Sequence, residues 1–138
     1  MPEFIYCGTS KRSAAATQAL LAGPFGAVWS PPGWRKGGLV PRSGRLWLVW
    51  LPGKVGQDPL LLGVGKVLAP PEGKAFWTNR TSKGIVAAAQ AQGYDGPTNM
   101  RFLRLSEPRI LASMPPVRGL GNMPTGITQA TSEQIKAL

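Results

Sequence analysis

Short apolar runs interrupted by glycine and proline set the pattern of this chain. The two strongest runs are Arg45–Leu51 (RLWLVWL) and Leu60–Leu68 (LLLGVGKVL), which are apolar and partly β-branched. They predict two strands that pair as a hairpin across Pro52–Pro59. Glycines interrupt a strand where the backbone bulges or bends sharply, so Gly63 and Gly65 predict such an irregularity inside the second strand.

Shorter segments predict the rest of the sheet. Met100–Leu105 alternates, which places Phe102 and Arg104 on one face and Leu103 and Leu105 on the other. The other strand candidates are Phe4–Cys7, Ala27–Trp29 and, as an extension of the sheet, Arg109–Leu111. Together with the hairpin, these segments predict a β-rich chain whose strands are joined by tight loops.

Helix-forming residues cluster in two segments, Ser10–Ala22 and Ser82–Gln92, each closed by a glycine. Near the end, Thr131 and Gln134 have capping-box spacing, which predicts a helical turn through Leu138. The 138 residues are a length typical of one domain. The sequence therefore predicts a single α+β domain spanning residues 1–138.

Charge is the most informative part of the composition. The 16 Lys and Arg residues against 6 Asp and Glu give a net charge of +10 and a pI near 10.7. Such an excess concentrates phosphate polymers around a protein and is typical of nucleic-acid binders. The alternative interpretation is a basic protein whose charge only aids solubility.

The reactive side chains exclude several classes of chemistry. The chain contains no histidine and its only cysteine is Cys7, so zinc sites built from Cys and His, Ser-His-Asp triads and Cys-His dyads are excluded. We expect no metal, no cofactor and no catalytic residues. A lone cysteine fits the reducing cytosol, and no apolar run approaches the about 18 residues of a membrane span. With no export signal at the first residues, we expect a cytoplasmic protein without a membrane partner.

The five tryptophans fall into two groups. Trp47 and Trp50 lie inside a predicted strand and are expected to be core or sheet-face residues. Trp29, Trp34 and Trp77 stand at strand ends or in loops, beside polar and cationic residues. These neighbours are Ser30, Arg35, Lys36, Asn79 and Arg80. Aromatics interleaved with cations suit base recognition, because indoles stack on bases while Arg and Lys meet phosphates. The alternative is that these indoles plug the ends of a small barrel.

The order of these residues resembles the YTH and EVE domains of the PUA-like superfamily over nearly the whole chain. The closing stretch, which includes Phe102–Leu105 and Gly126–Thr128, is more similar to EVE domains. The segments that carry the resemblance are Phe4-Ile5 followed by a helix, Val28-Trp29-Ser30, Leu46–Trp50, Leu62–Val67 and Phe76-Trp77. The resemblance implies a small, bent, mostly antiparallel β-barrel with flanking helices and a pocket that receives one modified base. In YTH domains the pocket is an aromatic cage for N6-methyladenosine in RNA, and EVE-type relatives are associated with modified bases in DNA or RNA.

The resemblance also implies a site. Trp29 takes the place of the first cage tryptophan and Trp77 that of the second, while Thr9–Arg12 matches a polar stretch that contacts base and phosphate. With the neighbours of the loop tryptophans, the candidate base-binding residues are Trp29, Trp77, Ser30, Trp34, Thr9, Ser10 and Asn79. The candidate backbone-binding residues are Lys11, Arg12, Arg35, Lys36 and Arg80.

The expected function is therefore a module that binds RNA or DNA and recognises a modified, methylated base, beside a separate effector protein. Two alternatives stay open. One is a metal-independent ribonuclease similar to the ASCH type, which uses Lys with Glu or Asp; against it, Glu72 and Glu107 flank prolines and are expected in loops. The other is a domain whose basic face binds an acidic protein.

Overall fold

The computed structural model describes residues 2–8, 13–23, 26–29, 40–52, 56–70, 73, 76–78, 80, 84–94, 101–121 and 126–138. Within them the chain forms one small α+β unit, a mixed seven-stranded sheet with three helices. The elements in chain order are β1 (Glu3–Gly8), α1 (Ala14–Ala22), β2 (Ala27–Trp29), β3 (Arg45–Trp50), β4 (Leu60–Leu68), β5 (Trp77–Thr78), α2 (Ile85–Gln90), β6 (Arg101–Ile110), β7 (Gly126–Gln129) and α3 (Ser132–Ala137).

The strands follow the order β2-β6-β4-β3-β1-β7, and β5 pairs with β6 beside the end of β4. The pair β1–β3 is parallel and the other pairs are antiparallel. The α+β class is confirmed. Among the described strands, β2 and β7 are the two ends of an open path, so the sheet as described is not a closed barrel.

The predicted hairpin is confirmed, since β3 and β4 pair antiparallel. The predicted irregularity is confirmed as well: the register shifts between Leu48 and Val49, which leaves one extra residue in β4 beside Gly63. A Cβ built on Gly63 would lie 2.8 Å from the carbonyl oxygen of Arg109, and one built on Gly65 would lie 2.8 Å from the Cβ of Leu105. These glycines are thus required by close approach of β6.

Glu107, which the flanking proline predicts to lie in a loop, belongs instead to β6. The strand runs through Pro108 because it bulges there: Val64 pairs with Arg109 whereas Lys66 pairs with Ser106, which leaves one extra residue in β6. Glu107 has a φ of 50°. Proline has no N–H to donate and is tolerated in sheets at such bulges. The two segments predicted separately, Met100–Leu105 and Arg109–Leu111, are therefore parts of one strand.

The helices begin and end close to their signals. Ser13 accepts a hydrogen bond from the N–H of Ala16 and caps α1, so this helix starts later than the pattern predicts. The helix α2 is likewise shorter than the predicted Ser82–Gln92. The capping box of α3 is confirmed in both directions, between Thr131 and Gln134. No described helix is long and apolar enough to cross a membrane.

The core has three clusters. The central cluster takes side chains from every strand except β5, including Val28 of β2 and Ile127 of β7, the two end strands. A second cluster lies where α1 and α2 cover β2 and β6, around Phe102. The third, on the other face of β1 and β3, contains Cys7 and is covered by Val117 and residues near it. The sheet is thus buried on both faces along β1 and β3.

Candidate functional site

The register of the sheet brings Trp29 and Trp77 to either side of one residue. Trp29 in β2 pairs with Phe102 in β6, and Trp77 in β5 pairs with the same Phe102 from the opposite edge. Adjacent strands are about 4.8 Å apart, so the Cα atoms of the two tryptophans are separated by about 10 Å. Both residues therefore occupy the same level of the sheet, although they are 48 residues apart in the chain (77 − 29).

Phe102 is the floor between these two positions. It has no exposed surface and packs in the cluster formed with Ile85, Val86 and Ala89 of α2 and with α1. Its ring holds the middle strand down against the helices. Residues that pair directly across strands share a face of the sheet, so Trp77 lies on the helix-covered face beside Phe102, at the rim of this cluster.

Trp77 is half-buried, with its ring packed against the α1/α2 cluster. Its Nε1 donates to the carbonyl oxygen of Leu68 over 3.5 Å, the long end of the range for a hydrogen bond. The guanidinium of Arg104 lies over its ring, with Cζ 4.7 Å from the ring centroid. The indole is therefore fixed at one end by the neighbouring strand and covered on one face by a cation.

Cations surround this end of the sheet. Arg101 pairs with Thr78 in the register of β5 and β6 and is exposed, and Arg80, two residues further on, is exposed as well. Neither has a carboxylate partner among the described residues. Burial lowers the pKa of Arg104, but a guanidinium stays protonated at neutral pH. Successive strand residues point to opposite faces, so Arg101 lies on the face opposite Trp77, and the cation in contact with the indole is Arg104.

The described carboxylates lie elsewhere. Glu3 pairs with Arg45, Glu107 with Lys66 and Asp58 with Arg118. Glu133 stands in the first turn of α3. None of these four carboxylates forms an ion pair with Arg80 or Arg101, and none contacts Trp77.

Most predicted site residues lie outside the described residues, as does the side chain of Trp29. The structure brings together the backbone of Trp29, Trp77 and Arg80. The predicted residues outside it are Thr9, Ser10, Lys11, Arg12, Ser30, Trp34, Arg35, Lys36 and Asn79. Their roles stay predictions.

Sequence reasoning missed Phe102, Arg101 and Arg104 as members of this corner. It placed Phe102 and Arg104 on one face of a strand but gave them no part in the site. The signal was present in that alternation, since an arginine that shares a face with an apolar residue lays its stem along that face while its charged head stays near water. The sequence alone does not show that the aromatic ring next to Arg104 is that of Trp77.

Two other reactive groups among the described residues are Cys7 and the Lys66–Glu107 pair. Cys7 is fully buried, and this burial raises the pKa of its thiol to about 12, so it is a core residue and not a thiolate nucleophile. Among the described residues, no group of three or more acidic or Cys side chains is placed to hold a metal ion. In the Lys66–Glu107 ion pair, both side chains are exposed to solvent, that of Lys66 to 56% and that of Glu107 to 74%.

Trp47 and Trp50 are both half-buried in the sheet, as expected of structural residues. Trp50 also lines an open, mostly apolar groove of about 340 Å³ at the hairpin end of β4. Its other lining residues are Pro52, Gln57, Asp58, Leu60 and Pro116. Trp77, by contrast, contacts Leu68 at the opposite end of β4, so the groove and the β5–β6 corner are separate.

Comparison of the chain with protein-family models, curated proteins and solved structures finds no match.

Proposed function

We propose that this protein binds nucleic acid and recognises a methylated base between Trp29 and Trp77. One observation carries the proposal: both tryptophans pair with Phe102 from opposite edges of β6. A base sandwiched between two aromatic rings needs walls about two stacking distances apart, and residues two strands apart start from about that separation. Arg80 is exposed at the same corner without a carboxylate partner among the described residues, and such a cation suits the phosphates beside the base.

We further propose that the sheet is a PUA-like barrel of the EVE or YTH type. In favour of this, the end strands β2 and β7 both contribute to one central core cluster. A sheet whose two ends share a core must curve strongly, and bulges such as those in β4 and β6 produce this curvature.

The energetic scale of recognition follows from stacking and methyl burial. Each base–aromatic contact contributes about 1–3 kcal/mol, whether or not the base is methylated. Burial of one methyl group adds on the order of 1 kcal/mol. We therefore expect tight binding to depend on the tryptophans, with a preference for the methylated base of about tenfold. A base inside a duplex must first be flipped out, at about a few kcal/mol, so single strands are the better target.

The test is a thermal-shift screen with a panel of methylated nucleosides, followed by binding of short single-stranded RNA and DNA with and without the modification that gives the largest shift. We expect tighter binding of the methylated strand and quenching of tryptophan fluorescence. The variants Trp29→Ala and Trp77→Ala are each expected to remove the preference. Retention of the preference in both variants overturns the cage.

Two further outcomes identify other functions. Equal affinity for methylated and unmethylated strands, with a steep fall in added salt, indicates attraction by charge alone. Fragmentation of labelled RNA in the presence of EDTA indicates a metal-independent ribonuclease, for which the Lys66–Glu107 pair is the first place to mutate.

A further inference from the structure

The guanidinium of Arg104 covers a face of Trp77. Its Cζ is 4.7 Å from the ring centroid, which is the distance of a cation–π contact. A guanidinium is planar and therefore lies on an aromatic face much as a stacked base does. One face of the indole proposed to stack on a base is thus already occupied by a side chain of the protein.

The sheet explains how Arg104 reaches this position. It follows Phe102 by two residues in β6, so the two share a face, and it pairs with Ala27 of β2 and Leu68 of β4. Ala27 is small and fully buried, so Arg104 is the long side chain of this row. Leu68 is also the residue whose carbonyl oxygen accepts the hydrogen bond from Trp77. Arg104 and Trp77 are therefore held beside each other by the same stretch of β4.

Resting on the proposed function, we propose that Arg104 is a gate on the stacking face of Trp77. In the free protein it covers that face. When a base enters, the guanidinium leaves the indole and binds a phosphate of the same nucleotide. The base takes the position over the ring that the cation held.

The exchange narrows the class of ligand. A free nucleoside displaces the guanidinium and offers it no new partner. A nucleotide offers phosphate oxygens, which accept charge-assisted hydrogen bonds from the fork of N–H donors. The site therefore binds a methylated nucleotide more tightly than the nucleoside with the same base.

The experiment compares the wild-type protein with Arg104→Gln by calorimetric titration. The probes are N6-methyladenosine, 5-methylcytidine, the 5′-monophosphate of each, and the unmethylated counterparts of all four. We expect the variant to bind a nucleoside about two- to fivefold more tightly, because the competing cation–π contact is lost. We expect it to bind the monophosphate about tenfold more weakly, because a charge-assisted hydrogen bond is lost.

Opposite changes for the two ligands separate the gate from simpler effects. Partial unfolding weakens both, and loss of one positive charge does not strengthen binding of an uncharged nucleoside. Arg118→Gln is the control for charge, because Arg118 is exposed and paired with Asp58; it is expected to change neither affinity by more than about twofold.

Two results overturn the proposal, and they are distinguishable. If the wild type prefers methylated over unmethylated nucleotides but Arg104→Gln does not strengthen nucleoside binding, the gate is wrong and the proposed function stands. If neither protein distinguishes methylated from unmethylated nucleotides, the proposed function fails and the gate fails with it.

Discussion

Trp47 and Trp77 have similar surroundings at first sight. Both are half-buried at the edge of a core cluster. Each has an arginine over its ring. Cζ of Arg45 is 5.1 Å from the ring centroid of Trp47, and Cζ of Arg104 is 4.7 Å from that of Trp77. The difference is Glu3, whose carboxylate accepts a 2.6 Å hydrogen bond from Nε1 of Trp47 and is also bound by Arg45. Trp77 has no such contact with a carboxylate among the described residues.

The carboxylate gives the two aromatic–cation pairs different properties. Glu3 is only 11% exposed in its side chain and ties β1 to β3 through Arg45 and Trp47, so that the charge of Arg45 is already neutralised. An anionic ligand gains little there. At the β5–β6 corner, Arg80 and Arg101 are exposed without a carboxylate partner among the described residues. The carboxylate of Glu3 thus makes the Trp47–Arg45 pair part of the framework that joins β1 and β3, whereas no described carboxylate contacts the indole of Trp77.

The largest effect is expected from removing that acid. Glu3→Ala should lower the free energy of unfolding by about 2–3 kcal/mol, because the hydrogen bonds of Arg45 and Trp47 to a charged group are lost. Urea denaturation at neutral pH measures it. Asp58→Ala is the matched control, since it breaks the exposed Asp58–Arg118 pair and should cost at most about 1 kcal/mol. Equal losses in the two variants contradict the structural role of Glu3.

The second effect should separate the two tryptophans by function. Trp77→Phe is expected to weaken binding of a methylated single strand by about 1 kcal/mol, because a smaller ring stacks less well. Trp47→Phe should leave this affinity unchanged and lower stability instead, through the lost hydrogen bond to Glu3. Binding titration gives the affinity of each variant, and urea denaturation gives its free energy of unfolding. A loss of affinity in Trp47→Phe equal to that in Trp77→Phe would remove the distinction drawn here.

The smallest effect is a dependence of stability on pH. Burial raises the pKa of Glu3, but hydrogen bonds from Arg45 and Trp47 and the charge of Arg45 outweigh it, so the pKa lies below its ordinary value of 4.5. A carboxyl whose pKa is lower in the folded state stabilises the fold above its unfolded pKa, and this contribution is lost as pH falls through the folded pKa.

Glu3→Gln is the comparison for this effect, because glutamine keeps the shape of the side chain and does not titrate. We expect the difference in unfolding free energy between wild type and Glu3→Gln to be constant from neutral pH down to about 5 and to shrink below it. Urea midpoints across this range measure it. A difference that does not change with pH would show that the charge of Glu3 does not stabilise the fold.

Local patterns predicted much of the secondary structure. The hairpin of β3 and β4, the irregularity at Gly63 and the capping box at Thr131 depend on residues close together in the chain. The bulge through Pro108 was missed because proline normally ends a strand, and only pairing with β4 keeps β6 continuous. The two-residue strand β5 was missed because it is too short to have a periodicity.

The candidate site also has a part that the sequence indicated and a part that depends on contacts between distant segments. Sequence alone selected Trp29 and Trp77 as tryptophans outside the strongest strands and indicated an anionic partner through the net charge. Their common partner Phe102 and the contact of Arg104 with Trp77 join segments distant in the chain. Glu3 and Trp47, 44 residues apart, are brought together by parallel pairing of β1 and β3.

The sequence by itself determined the α+β class, the basic charge and the absence of histidine chemistry, because these depend on residue types and on neighbours within a few positions. Only the tertiary structure decided which arginine covers which indole and that Glu3 binds both Trp47 and Arg45. The physical reason is that strand register is set by burial of whole faces of the sheet, and a shift of one residue would turn each of these side chains to the other face.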